Sequence, residues 1–310
     1  MEQEVVSEKK YPQKEANRIT HILDTALPTH SRFPVDVEMV AKELTPSFSQ
    51  DPITAVNGGS MGNAVDGMLV KHDSKDEWAI FYNTDVVHPG RTNFTKAHEL
   101  GHYMVHRQSL SKTKFQCGEK DMLDENQQGI DIEAEANAFA ANLLMPNNDF
   151  RAQADGQNFS IDLMQHCTDR YGVSLTAAVL KWLDFTKKRA IGLLSEEGFM
   201  HWSKSSNSAF RSGRYFATKQ DCVEVPEFSL AAQEQYSTEA RNGVKHGPGI
   251  WFPNEEVIEH SIYSDEYGKT LTILVLDDAG GYSDPDDFNE DDELLTDSYT
   301  NFINNGQNPY

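Results

Sequence analysis

Residues 94–106 read FTKAHELGHYMVH, and their reading decides the fold. Phe94, Ala97, Leu100 and Met104 recur at helical spacing and predict an apolar stripe on a helix over 93–107, with Asn93 as N-cap. On that helix His98 and His102, four apart, share one face and aim two imidazoles at one point. Glu99 completes H-E-x-x-H, in which two histidines hold zinc and the glutamate is general base toward the metal-activated water. Gly101 sits inside the helix at a cost of about 1 kcal/mol relative to alanine. A glycine kept there predicts close approach of another backbone.

Geometry limits the third ligand. His106 lies eight residues past His98, about 12 Å of helical rise, too far to share its ion. It is expected in a structural role or behind a ligand. The single-helix pattern with a third histidine needs glycine at 105 and histidine at 108, where this chain has Val105 and Gln108. EAEAN (133–137), in the helical run DIEAEANAFAANLLM (131–145), offers two carboxylates. Glu133 and Glu135 are two positions apart and point to opposite sides of the axis, so only one can face the metal. Glu133 shares its stripe with Asn137, which is placed to hydrogen-bond a ligand histidine. Glu133 is therefore the expected ligand, with Glu135 solvated or in a salt bridge.

FTKAHELGHYMVH followed by IEAEANAFAANLLMP (132–146) resembles the ImmA/IrrE family of metallo-endopeptidases. The likeness takes in the N-terminal helix, PVDVEMVAKEL (34–44) and GVSLTAA (172–178), roughly residues 10–200 in all, and is weaker in EHSIYSDEYGKTLTILVLDD (259–278). It implies a zincin-like domain, a zinc site of two histidines and a glutamate from an E-x-x-A-N helix, and a regulatory peptidase that cleaves a helix-turn-helix repressor. The sequence departs from the pattern in having no N-terminal DNA-binding fusion and in its acidic tail.

Outward from the motif, KEANRITHILDTAL (14–27) and PVDVEMVAKEL (34–44) predict two helices, the first stopped by Pro28 and the second opened by Pro34 and Asp36. VNGGSMGN (56–63) reads as a turn region. GMLVKH (67–72) and EWAIFYN (77–83) alternate as strands around DSKD, a hairpin that serves as scaffold or as an edge for an extended peptide. Residues 108–130 read as a long polar loop. FSIDLMQHCTDRYGVSLTAAVLKWLDFT (159–186) reads as two helices joined at Gly172, similar in outline to a helix-turn-helix. From Arg189 the chain turns strand-like, in AIGLLS (190–195), GFMHWSK (198–204) and LTILVLDD (271–278). The expected fold is α+β: a zincin-like metallopeptidase domain over 1–188, a smaller β-containing C-terminal region over 189–279 that is sensory or regulatory, and an acidic, disordered tail over 280–310. DPDDFNEDDE (284–293) lacks the glycine and ligand order of an EF-hand.

The formal net charge of −22 repels phosphate backbones and opposes direct nucleic-acid binding. Apolar runs such as LTILVL (271–276) are far short of the ~20 residues of a membrane span, and the mean hydropathy is −0.59. The charged start MEQEVVSEKKYPQK has no apolar secretory core, and Cys117, Cys167 and Cys222 form no C-x-x-C pair. A cytoplasmic location and free thiols are expected.

Together these residues predict a zinc-dependent endopeptidase, with His98, His102 and Glu133 as ligands, manganese admitted by the same donors, and Glu99 as base. Asn137 and His106 are expected behind the ligands. Tyr103, His106, His88 and Arg91 are the candidates for oxyanion or substrate contacts. The expected partner is a protein substrate such as a helix-turn-helix repressor. The alternative is a non-proteolytic regulator that keeps the metal fold and acts by binding. Glu99 favours the enzyme, because a binding module has no use for a base beside the ligands.

Overall fold

The computed structural model describes residues 10–62, 65–86, 88–108, 114–117, 127–234, 236–264 and 268–277. The acidic tail, most of the 108–130 segment and DPDDFNEDDE lie outside the described residues. The fold is α+β: a helical zincin-like region with a small sheet, and an antiparallel C-terminal sheet. Two compact units divide the chain, residues 10–151 with 168–174 and residues 152–167 with 175–277. The sequence suggests a boundary after residue 188; in the structure residues 175–188 cluster with the C-terminal sheet.

In the first unit α1 (Pro12–Ala26) starts with proline in its first turn, buries Ala16, Ile19 and Leu23 at helical spacing, and packs on α5 (Gln127–Leu144). Ala26, the last residue of the helix, is exposed. The second predicted helix is short pieces: α2 (Val37–Met39), a π-helical stretch (Val40–Leu44) and α3 (Thr45–Phe48). Asp36 caps it, its Oδ1 accepting from the Met39 N–H at 2.9 Å.

The small sheet has the order β1-β3-β2-β4. The predicted hairpin is present as β2 (Gly67–Lys71) and β3 (Trp78–Asn83), paired antiparallel with Leu69 opposite Ile80. The first half of the turn region read at 56–63 is instead strand: β1 (Ile53–Gly59) runs parallel to β3. Its Asn-Gly-Gly composition suppresses the strand signal, and only pairing with β3 makes it extended. β4 (Lys114–Cys117), inside the segment read as a loop, pairs antiparallel with β2. Both hairpin strands are therefore flanked, and the edges among the described strands are β1 and β4. The hairpin is not the edge that sequence allowed.

α4 (Pro89–Gly101) packs across β2 and β3 and continues as a π-helical turn (His102–His106). It starts a turn earlier than Asn93, with His88 as N-cap and Pro89 in the first position, where the missing N–H costs nothing. Phe94, expected on the inner stripe, is only half-buried, whereas Ala97, His98, Glu99 and Leu100 are buried. α6 (Asn147–Ala154), α7 (Ile161–Tyr171) and α8 (Leu175–Phe185) follow, the last two joined at Gly172 with φ +62°.

In the second unit α8 is buried from Ala177 through Leu183. A reading helix needs an exposed face, and this one is core. The sheet has the order β6-β5-β9-β8-β7, all neighbours antiparallel, formed by β5 (Arg189–Glu196), β6 (Phe199–Ser205), β7 (Val244–His246), β8 (Val257–Ser264) and β9 (Lys269–Leu276). Two short helices, α9 (Asn207–Arg211) and α10 (Thr238–Asn242), lie between strands. β5 is buried almost throughout: Val179 and Leu183 of α8 approach at Gly192, while Ile191 and Leu193 join a core with Trp251, Phe252 and Leu274. Burial on both faces is why it reads as a continuous apolar run.

Candidate metal centre

Two helices build the site. α4 delivers His98 and Glu99 in its last turn, His102 opens the π-helical turn that follows, and α5 crosses close by with Glu133. Gly101 makes that crossing possible. A Cβ there would lie 3.0 Å from the Ala136 carbonyl oxygen and 3.2 Å from the Ala136 Cα, so a side chain would push on α5 itself.

The structure brings His98, His102 and Glu133 together, their ligand atoms all within 4.8 Å of one another. His98 Nε2 and His102 Nε2 are 3.0 Å apart. Glu133 Oε2 is 3.0 Å from His98 Nε2 and Oε1 is 3.3 Å from His102 Nε2. Tetrahedral zinc with bonds of 2.0–2.2 Å sets its ligand atoms about 3.3–3.6 Å apart, so the donor types, and a spacing only slightly tighter than this, suit such an ion. The backs of the rings are also held. His98 Nδ1 lies 2.6 Å from Asn137 Oδ1, an acceptor, which fixes the His98 proton on Nδ1 and leaves Nε2 as the lone-pair donor. His102 Nδ1 lies 3.1 Å from His106 Nδ1, and His106 Nε2 lies 3.0 Å from Glu135 Oε2.

The electrostatics match a site that pulls cations. Burial works against charging His98, but the hydrogen bond and charge of Glu133, with the charge of Glu99 and the Asn137 contact, outweigh it and raise its pKa. Burial also opposes ionisation of Glu133, yet the charge of His102 and the hydrogen bonds from both histidines hold its pKa well below the usual carboxylate value. His106 is pushed down to about 3 by burial and then by the charge of His102, with Glu133 opposing. It is a neutral ring at ordinary pH.

Glu99 is fully buried, pressed against β2: a Cβ on Gly67 would lie 2.9 Å from Glu99 Oε1 and 2.6 Å from Thr95 Cγ2. Phe115 of β4 stacks on the His102 ring with centroids 5.0 Å apart. Sequence reasoning missed both contacts. The glycine that opens β2 was the one visible sign of the first, and Phe115 lay in a segment read as loop.

The candidates for oxyanion contacts fall elsewhere. Tyr103 is buried, its hydroxyl donating to the Asp51 carbonyl oxygen at 3.0 Å and its ring covered by the Arg107 guanidinium. Arg91 donates to both oxygens of Asp66 at 3.1 Å. His88 is half-buried at the N-terminus of α4. His106 meets the cluster at His102, through their Nδ1 atoms.

Residues 61–183 match the family described as the IrrE N-terminal-like domain, Peptidase_M78. Among solved structures, a Mycobacterium tuberculosis transcriptional regulator is similar in fold, with a TM-score of 0.54 at 14% identity over 85% of this chain and 76% of that one. No curated protein matches the sequence. Among the described residues no helix is long and apolar enough to cross a membrane.

Proposed function

We propose that this chain, whose residues 61–183 match the IrrE N-terminal-like domain of the Peptidase_M78 family, is a zinc-dependent endopeptidase of regulatory type that hydrolyses one specific protein, such as a helix-turn-helix repressor. The observation that carries this is the convergence of His98 Nε2, His102 Nε2 and the Glu133 carboxylate beside a buried glutamate. A divalent ion there supplies Lewis acidity toward water and the scissile carbonyl; zinc suits the His-His-Glu donors and manganese is the alternative.

The chain's own residues do the rest. Asn137 and His106 hold the two imidazoles in place. Glu99 takes the proton of the attacking water and passes it to the amide nitrogen of the departing segment, a role worth about 10²–10⁴ in rate. Its position over Gly67 supports that assignment over a pure binding protein, because a buried carboxylate beside metal ligands costs stability without a use.

The test is coexpression with neighbouring regulator genes, looking for a cleaved repressor. Glu99→Gln should keep its metal by elemental analysis and lose cleavage, and His98→Ala should lose the metal. Undiminished cleavage by Glu99→Gln rejects the mechanism.

A further inference from the structure

His98 and His102 are supported differently. Behind His98 stands a neutral amide oxygen, Asn137 Oδ1. Behind His102 stands a second imidazole, His106, and behind that a carboxylate, Glu135. The sequence places Glu135 on the far side of its helix from Glu133 and leaves it to solvent or a salt bridge; the structure brings it to the outer end of a chain that begins at the site.

The proton inventory gives that chain one direction. An imidazole that offers Nε2 to a metal carries its single proton on Nδ1. His102 must then donate Nδ1–H to His106 Nδ1, which accepts. His106 keeps its own proton on Nε2 and donates it to Glu135 Oε2, an acceptor. Reversing either bond would put a proton on the ligand atom of His102. The π-helical turn over His102–His106 is a rare form that recurs at functional sites, and it carries both rings of this chain. The His106 side chain is 4% exposed and that of Glu135 30%, so the relay runs from a buried end to a wet one.

We propose that Glu135, acting through His106, is a positioning residue of the metal centre: it locks the tautomer and orientation of His102 and gives that ligand an anionic support. The proposal rests on the metal reading above, and its test separates the two. Zinc affinity is measured by chelator competition for the full chain and for Glu135→Gln, His106→Phe and the double variant, with urea midpoints of the metal-free proteins alongside. Outer-shell changes of this kind weaken metal binding about 10- to 100-fold. Glu135→Gln should show such a loss with an unchanged metal-free midpoint, and Glu135→Asp should recover part of it. On the proposed route through His106, the double variant should bind no more weakly than His106→Phe alone.

If the unaltered chain holds no stoichiometric zinc, the metal reading falls and takes the proposal with it. If it holds zinc and Glu135→Gln binds equally tightly, or the two losses multiply, or the metal-free midpoint drops in step with affinity, the proposal alone is overturned. Glu135→Gln is nearly isosteric and partly exposed, so the test does not depend on whether His106→Phe folds.

Discussion

Replacing Gly101 by alanine sets two effects against each other. Alanine is the better helix former by about 0.8–1.0 kcal/mol, so a helix considered alone would gain. Against that, the new methyl would sit 3.0 Å from the Ala136 carbonyl oxygen, 3.1 Å from Phe139 Cδ1 and 3.2 Å from the Ala136 Cα. Two of these are backbone atoms of α5, which no rotamer change can move, so α5 must shift by a few tenths of an ångström. Overpacking of this kind costs about 1–3 kcal/mol, which outweighs the propensity gain and leaves a net loss of about 1 kcal/mol. For a unit of this size that is about 2–4 °C in the melting temperature. The shift acts on the helix that carries Glu133 and Asn137, so zinc affinity should fall as well. Thermal melts of the chelator-treated protein and chelator competition for zinc read the two effects. Gly59→Ala, where a Cβ meets nothing within 4 Å, is the control and should be neutral or better. A Gly101→Ala protein that melts higher and binds zinc undiminished would refute the close-approach account.

Gly67→Ala should spare the metal and damage the chemistry, because its Cβ would collide with Glu99 Oε1 at 2.9 Å; displacement of a base by about an ångström costs about 10²-fold in rate. Retained cleavage at full rate with zinc bound would show that Glu99 has room to spare. Asp149 is opposed by burial, but hydrogen bonds from Arg170 and Tyr171 hold its pKa below 3.8. Its contribution is therefore full above pH ~4 and lost as pH falls through the depressed folded value. In urea titrations from neutral to acid pH, the advantage of the unaltered protein over Asp149→Asn should shrink to nothing at the acid end; a constant gap contradicts the linkage. In the C-terminal sheet Glu259 is fully buried and accepts from the Leu230 and Ala231 N–H groups, Trp251 Nε1 and Ser261 Oγ. Glu259→Ala, which orphans those donors, should cost about 2–4 kcal/mol in denaturant unfolding, and a loss under ~1 kcal/mol would mean that water replaces the carboxylate.

Much of the candidate site was legible in the sequence because it is written in local spacing. Four residues on a helix return to the same face, so His98 and His102 must neighbour each other wherever the helix goes. The periodicity of α5 likewise forced a choice between Glu133 and Glu135. Strands were legible where alternation or a continuous apolar run marked them, as in β2, β3 and β5. β1 and β4 were not, since Asn-Gly-Gly and a polar segment carry no strand pattern and become extended only by pairing with β3 and β2.

The sequence by itself determined which residue types stand on which face of α4 and α5, because helical geometry repeats over a few residues and needs no partner. Tertiary structure alone decided which faces meet. It seats Ala136 against Gly101, lays Glu99 over Gly67, stacks Phe115 on His102 and ends the His102–His106 chain at Glu135. Each of these contacts joins positions on different elements, and their distances are set by packing of helices and sheet, which no short-range spacing encodes.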